Sequence, residues 1–150
     1  MTKEIEAYFD SGNCLAAKST TIICGESNKL KSLTGLSNSK LLSWWYKINY
    51  NSLKMSGEAL GFGSNEVGSI PICELNDEQI ERVNNLVDMV LALNSSENLE
   101  SDVNKLNTIK EYEQKIDLIV YKLYDLTYSE VKTIDPEFLM SEEEYNQFAI

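Results

Sequence analysis

The sequence contains no histidine. That excludes Ser-His and Cys-His nucleophilic catalysis and every His-ligated metal centre. Its three cysteines, Cys14, Cys24 and Cys73, are odd in number and widely spaced. They form neither a disulfide framework nor a zinc-ligand pattern, so a reducing cytoplasm is the expected compartment. No apolar run approaches the ~20 residues that a membrane span needs. The opening stretch, Met1-Thr2-Lys3-Glu4-Ile5-Glu6, lacks the apolar core of a secretion signal. There are only two prolines, Pro71 and Pro136. What remains is 150 residues, 43% of them apolar, enough for one domain with a hydrophobic core.

Charge is unevenly spread. Thirteen basic against twenty-four acidic residues leave a net charge of -11, which argues against nucleic-acid binding by the whole surface. Residues 1–72 nevertheless hold seven lysines against six acids, and residues 73–150 six bases against eighteen acids. Between 18 and 54 lie Lys18, Lys29, Lys31, Lys40, Lys47 and Lys54 with one acid, Glu26, interleaved with Trp44, Trp45, Tyr46 and Tyr50. Lysines neutralise phosphates and aromatic rings stack on or wedge between bases, so a polyanion would be met there.

The apolar periods give a coarse layout. The β-branched run Ser19-Thr20-Thr21-Ile22-Ile23-Cys24, closed by Gly25, reads as a strand. Leu30, Leu33, Leu36, Leu41, Trp44, Trp45 and Ile48 predict a helix over residues 29–48. Residues 49–70 carry four glycines and read as loops with room for one short strand, and Pro71 keeps Ile70 extended. Asn76 and Gln79 form a capping box that opens a helix to about residue 93. After a polar break at 94–102, a second amphipathic helix carries Leu106, Ile109, Ile116, Val120 and Leu123. The two make an antiparallel hairpin. Thr127 and Glu130 box a short helix, and Ser141-Glu142-Glu143-Glu144 starts a last turn or two. The expected fold class is therefore α+β: a small mixed α/β region over 1–72, then the helical hairpin and short C-terminal helices over 73–150, together one compact unit.

Several chemistry-bearing patterns fail on inspection. Gly61-Phe62-Gly63 lacks the third glycine and following helix of a dinucleotide loop. Asp102 with Glu113-Gln114-Lys115 imitates a metal-nuclease set, yet Glu113 and Lys115, two apart on a helix, do not face one site. Glu142-Glu143-Glu144 is a solvated helix start. No catalytic residue and no metal ligand is assigned.

Leu33-Thr34-Gly35-Leu36-Ser37-Asn38-Ser39-Lys40-Leu41 with Trp44-Trp45-Tyr46-Lys47-Ile48, then Ile70-Pro71-Ile72, then Asp77-Glu78-Gln79-Ile80, and last Ile116-Asp117-Leu118-Ile119-Val120-Tyr121-Lys122-Leu123-Tyr124-Asp125-Leu126-Thr127, stand in a recognisable order. This set resembles the C-terminal target-recognition domain of TaqI-like adenine-N6 DNA methyltransferases, a region shared by the fused type IIG restriction–modification enzymes. The resemblance spans roughly residues 14–135. Cys73 stands where the family has a second proline, and Ser37 interrupts its usual Leu-Asn-Ser-Lys-Leu run. The family's catalytic Asn/Asp-Pro-Pro-Tyr/Phe motif is absent, because no Pro-Pro exists here, and its cofactor-binding glycine motif is absent too.

The resemblance implies a DNA sequence-recognition module that is not an enzyme by itself. It would be a piece lacking the front of its domain, with S-adenosylmethionine bound and the target adenine flipped in a separate catalytic domain. It implies Lys40, Lys47 and Lys54 on phosphates, and Tyr50, Asn51, Ser56, Glu58, Phe62 and Asn65 at base edges or in a groove. The implied partners are double-stranded DNA and a methyltransferase or endonuclease catalytic domain, with no membrane and no cofactor of its own. Type I specificity subunits are the sibling reading. From a different class, the hairpin is a protein-docking module; the lysine cluster counts against a third reading, an acidic DNA mimic.

Overall fold

Most of the described helices begin where a small polar side chain takes up a free backbone N–H. In the computed structural model, which describes residues 4–12, 14–16, 20–50, 61–96 and 102–150, seven helices follow one another. They are α1 (Ser27–Ser37), α2 (Lys40–Asn49), α3 (Ser64–Gly68), α4 (Asp77–Asn94), α5 (Val103–Leu123), α6 (Tyr128–Ile134) and α7 (Glu142–Gln147). Both expected capping boxes form. Asn76 accepts from the Gln79 amide at 2.9 Å while Gln79 reaches back to the Asn76 amide at 3.0 Å, and Thr127 and Glu130 repeat the arrangement at α6. Ser141 and Glu144 build a third at α7.

The α+β expectation is corrected: no strand occurs among the described residues, and the fold is helical. Thr20 to Cys24 run without regular structure, with Ile22 65% and Ile23 50% exposed. Their β-branched side chains carry strand propensity, but a strand needs a neighbour to satisfy its backbone, and the described chain is spent on helices. Of residues 49–70, where room was left for a short strand, the described ones form none; Ser64–Gly68 make the single turn of α3, and 51–60 lie outside the described residues.

The long helix expected over 29–48 divides at Asn38–Ser39. Ser39 turns extended (φ -66°, ψ 152°) and its hydroxyl accepts from the Leu42 amide, so a second helix starts where the first would have continued. Gly35 is not the breaking point. It sits inside α1 because a Cβ there would lie 2.9 Å from both Val83 Cγ1 and Val87 Cγ2 of α4. A bare backbone lets α1 and α4 approach.

The core joins both parts of the chain. Leu36, Leu41, Leu42 and Tyr46 from α1 and α2 pack with Val83 and Val87 of α4, Ile116 to Tyr121 of α5, Val131 of α6 and Tyr145 of α7. α4 lies against both α1 and α5, and the expected α4–α5 hairpin is present. Tyr124 at the end of α5 ties down the extended stretch after α3: its hydroxyl donates to the Pro71 carbonyl at 2.6 Å and accepts from the Cys73 amide at 3.2 Å. No helix among the described residues is long and apolar enough to cross a membrane.

A candidate nucleic-acid interface

The lysine- and ring-rich segment folds as α2 and the residues beyond it. α2 buries Leu41, Leu42, Ser43 and Tyr46 on one side. Tyr46 is fully buried, and its hydroxyl donates to the Gly61 carbonyl at 2.6 Å. Burial, reinforced by the nearby Glu66 charge, pushes that phenol up from its ordinary pKa. The Tyr50 and Phe62 rings both pack on Tyr46, with ring centroids 4.9 Å and 5.1 Å away. Trp45 meets Tyr50 edge-on at 6.0 Å. The Tyr50 hydroxyl donates to Ser69 Oγ, whose own proton goes to the Glu66 carbonyl. Thr21 donates to the Phe62 carbonyl at 2.7 Å. The chain thus leaves and returns to one buried ring, with residues 51–60 between.

The implied contact residues divide accordingly. Asn51, Lys54, Ser56 and Glu58 lie outside the described residues. Tyr50 and Phe62 are half-buried in the ring cluster, where they anchor the segment. Asn65 is exposed on α3. Lys47 occupies the last turn of α2, where a cation is favoured by the helix dipole, and pairs with Glu4 at 3.2 Å. Lys40 lies away from this cluster, at the start of α2, and reaches Asp135 at 2.8 Å.

Charge compensation is general. Lys29 pairs with Glu26 at 3.1 Å and Lys31 with Asp88 at 2.8 Å. Each of the four described lysines between 18 and 54 therefore has an acidic partner, drawn from the N-terminal arm, the start of α1, α4 or the end of α6. Lys18 lies, like Lys54, outside the described residues.

Lys40 belongs to a buried polar knot that the lysine pattern did not reveal. Its backbone N–H donates to Asp117 Oδ1 at 2.8 Å, and Asp117 is only 7% exposed in the middle of α5. Burial raises the Asp117 carboxyl to about 7, against the opposing pull of the Lys40 amide and ammonium. Burial likewise raises Glu113, one turn earlier. Burial also drags on the Lys40 ammonium, yet the Asp135 hydrogen bond and the charges of Asp135 and Asp117 leave it raised overall. The fully buried Tyr121 phenol is held far above its usual range by burial and by the Asp117 and Asp135 charges. One signal was available in the sequence: Asp117 interrupts the apolar run from Ile116 to Val120, and a charge at a core position has to serve something.

Among the described residues no group of three or more Cys, Asp or Glu is arranged to hold a metal ion. No family model matches the sequence, and no curated protein and no solved structure matches it either.

Proposed function

We infer that this chain is the DNA sequence-recognition piece of a restriction–modification methyltransferase or endonuclease, with base flipping and methyl transfer performed by a separate catalytic domain that binds S-adenosylmethionine. The observation that carries the reading is the 2.8 Å contact between the Lys40 amide and Asp117. It joins the two stretches that most resemble TaqI-like recognition domains, residues 33–48 and 116–127, and gives the aspartate of the second a task at the helix that the first begins. The Tyr46 anchor adds support. It fixes both ends of a segment containing Asn51, Ser56 and Glu58, side chains of the type that hydrogen-bond base edges, with Lys47 and Lys54 for the phosphate backbone. α4 and α5 then serve as a rigid prop and docking face for the catalytic domain.

A second reading, a helical protein-docking module, draws on the in-chain acids that pair the described lysines and on the eighteen acids of residues 73–150. Selection from a randomised duplex pool at low salt separates the two. A recurring short base motif among the retained duplexes is expected for a recognition module. Retention without sequence enrichment, or none, removes that reading and leaves docking.

A further inference from the structure

Residues 4–9 lie extended along the junction of α1 and α2, held by groups that read the backbone as much as the side chains. Asn38 clamps Ala7 twice, accepting from its N–H at 2.6 Å and donating to its carbonyl at 2.9 Å. Ser43 Oγ accepts from the Ile5 N–H at 3.1 Å, and the Ile5 side chain is buried in the core. Alternation along an extended chain then turns Glu4 and Glu6 outward, and Glu4 Oε1 meets Lys47 Nζ at 3.2 Å. Ser43 and Lys47 are one turn apart on α2, so an acidic peptide occupies the helix edge that carries the candidate phosphate-binding lysine.

We propose that residues 4–9 form a displaceable acidic strap that competes with duplex phosphates for this edge, so that the interface is autoinhibited in cis. The proposal rests on the nucleic-acid reading above. A carboxylate on Lys47 stands where a phosphate oxygen would stand, and Ser and Asn side chains are common phosphate-backbone partners. The cover is firm enough to form and weak enough to leave. The Glu4–Lys47 pair is partly solvent-exposed and so of modest strength, while a duplex offers many phosphates and releases counterions on binding. A cleft of about 640 Å³ lies between the strap, Val87 and Leu91 of α4 and Glu113 and Gln114 of α5, and Ile5 is the plug by which the strap enters the core. Just beyond it Gly12 takes a left-handed conformation (φ 102°) in a turn closed by the Cys14 N–H on Asp10 Oδ2 at 3.2 Å, and this corner marks the end of the strap.

The test is fluorescence anisotropy of a labelled random-sequence duplex at low salt, on the full chain and on Glu4→Gln, with amide hydrogen exchange at Ile5 and Ala7 followed with and without duplex. Glu4→Gln is expected to bind about two- to fivefold more tightly, the scale of one exposed ion pair. Duplex is expected to speed exchange at both amides. Ile5→Ser, which loosens the plug, is expected to gain more. Equal affinities with exchange unmoved by bound duplex overturn the strap and leave the DNA reading standing. Failure of both the full chain and Glu4→Gln to bind overturns both.

Discussion

The backbone N–H of Lys40 and the carboxylate of Asp117, 77 positions apart, meet at 2.8 Å. A side chain in the middle of α5 thereby satisfies one of the free amides at the start of α2, and the Lys40 ammonium closes the arrangement on Asp135 at 2.8 Å. Asp117→Ala strands that amide in the interior and is expected to cost about 1.5–3 kcal/mol, measured by chemical denaturation. Asp117→Asn keeps an acceptor oxygen and is expected to cost much less.

The same carboxyl makes stability depend on pH. Folding raises the Asp117 pKa to about 7 from an ordinary value near 3.8. Between those values the folded chain holds more protons than the unfolded one, so stability falls as pH rises through the window and levels off above it. The loss is on the order of 4 kcal/mol from this residue. Glu113 acts in the same direction, whereas Glu130 and Glu144, lowered by the side-chain hydrogen bonds of Thr127 and Ser141, act oppositely as pH falls through the acid range. Denaturant midpoints taken from pH 4 to pH 8 check this, and Asp117→Asn is expected to flatten the curve near neutrality.

Gly35→Ala tests the close approach of α1 to α4. Alanine favours the helix by about 1 kcal/mol, but its methyl carbon would sit 2.9 Å from Val83 Cγ1 and from Val87 Cγ2. Overpacking of this kind costs about 1–3 kcal/mol, so the net effect is expected to be destabilising. A double-mutant cycle with Val87→Ala should show a favourable coupling, because the second change makes room for the first.

Tyr46→Phe removes only the hydroxyl that donates to the Gly61 carbonyl at 2.6 Å. Its expected cost is about 1 kcal/mol in global stability. Amide exchange should report a larger local effect at Gly61 and Phe62, since the ring contacts remain while the tie to the returning chain is lost.

The helices of residues 77–147 were legible in the sequence because their starts are local chemistry. Asn76 with Gln79 and Thr127 with Glu130 are three residues apart, and the apolar stripe of α4 repeats every turn. The strand over 19–24 was misread because β-branched residues signal propensity while a sheet requires a partner, and no short pattern reports whether one exists. The division at Ser39 was missed because Ser37-Asn38-Ser39 carries no proline and the polar break over 37–40, between Leu36 and Leu41, is short beside the apolar stripe on either side; the tasks of Asn38 on Ala7 and of Asp117 on Lys40 are set by residues 31 and 77 positions away. Charge counting found the lysines between 18 and 54 but not the acids that meet them, since Glu4, Asp88 and Asp135 come from distant parts of the chain.

The most direct measurement is the salt dependence of duplex binding by the full chain and by the variants Lys47→Gln and Lys54→Gln. If the end of α2 and residues 51–60 lie along DNA, log affinity falls linearly with log salt, and each substitution lowers the slope by about 1 while weakening binding across sequences. Slopes and affinities identical to those of the unaltered chain would place the duplex elsewhere and contradict the interface.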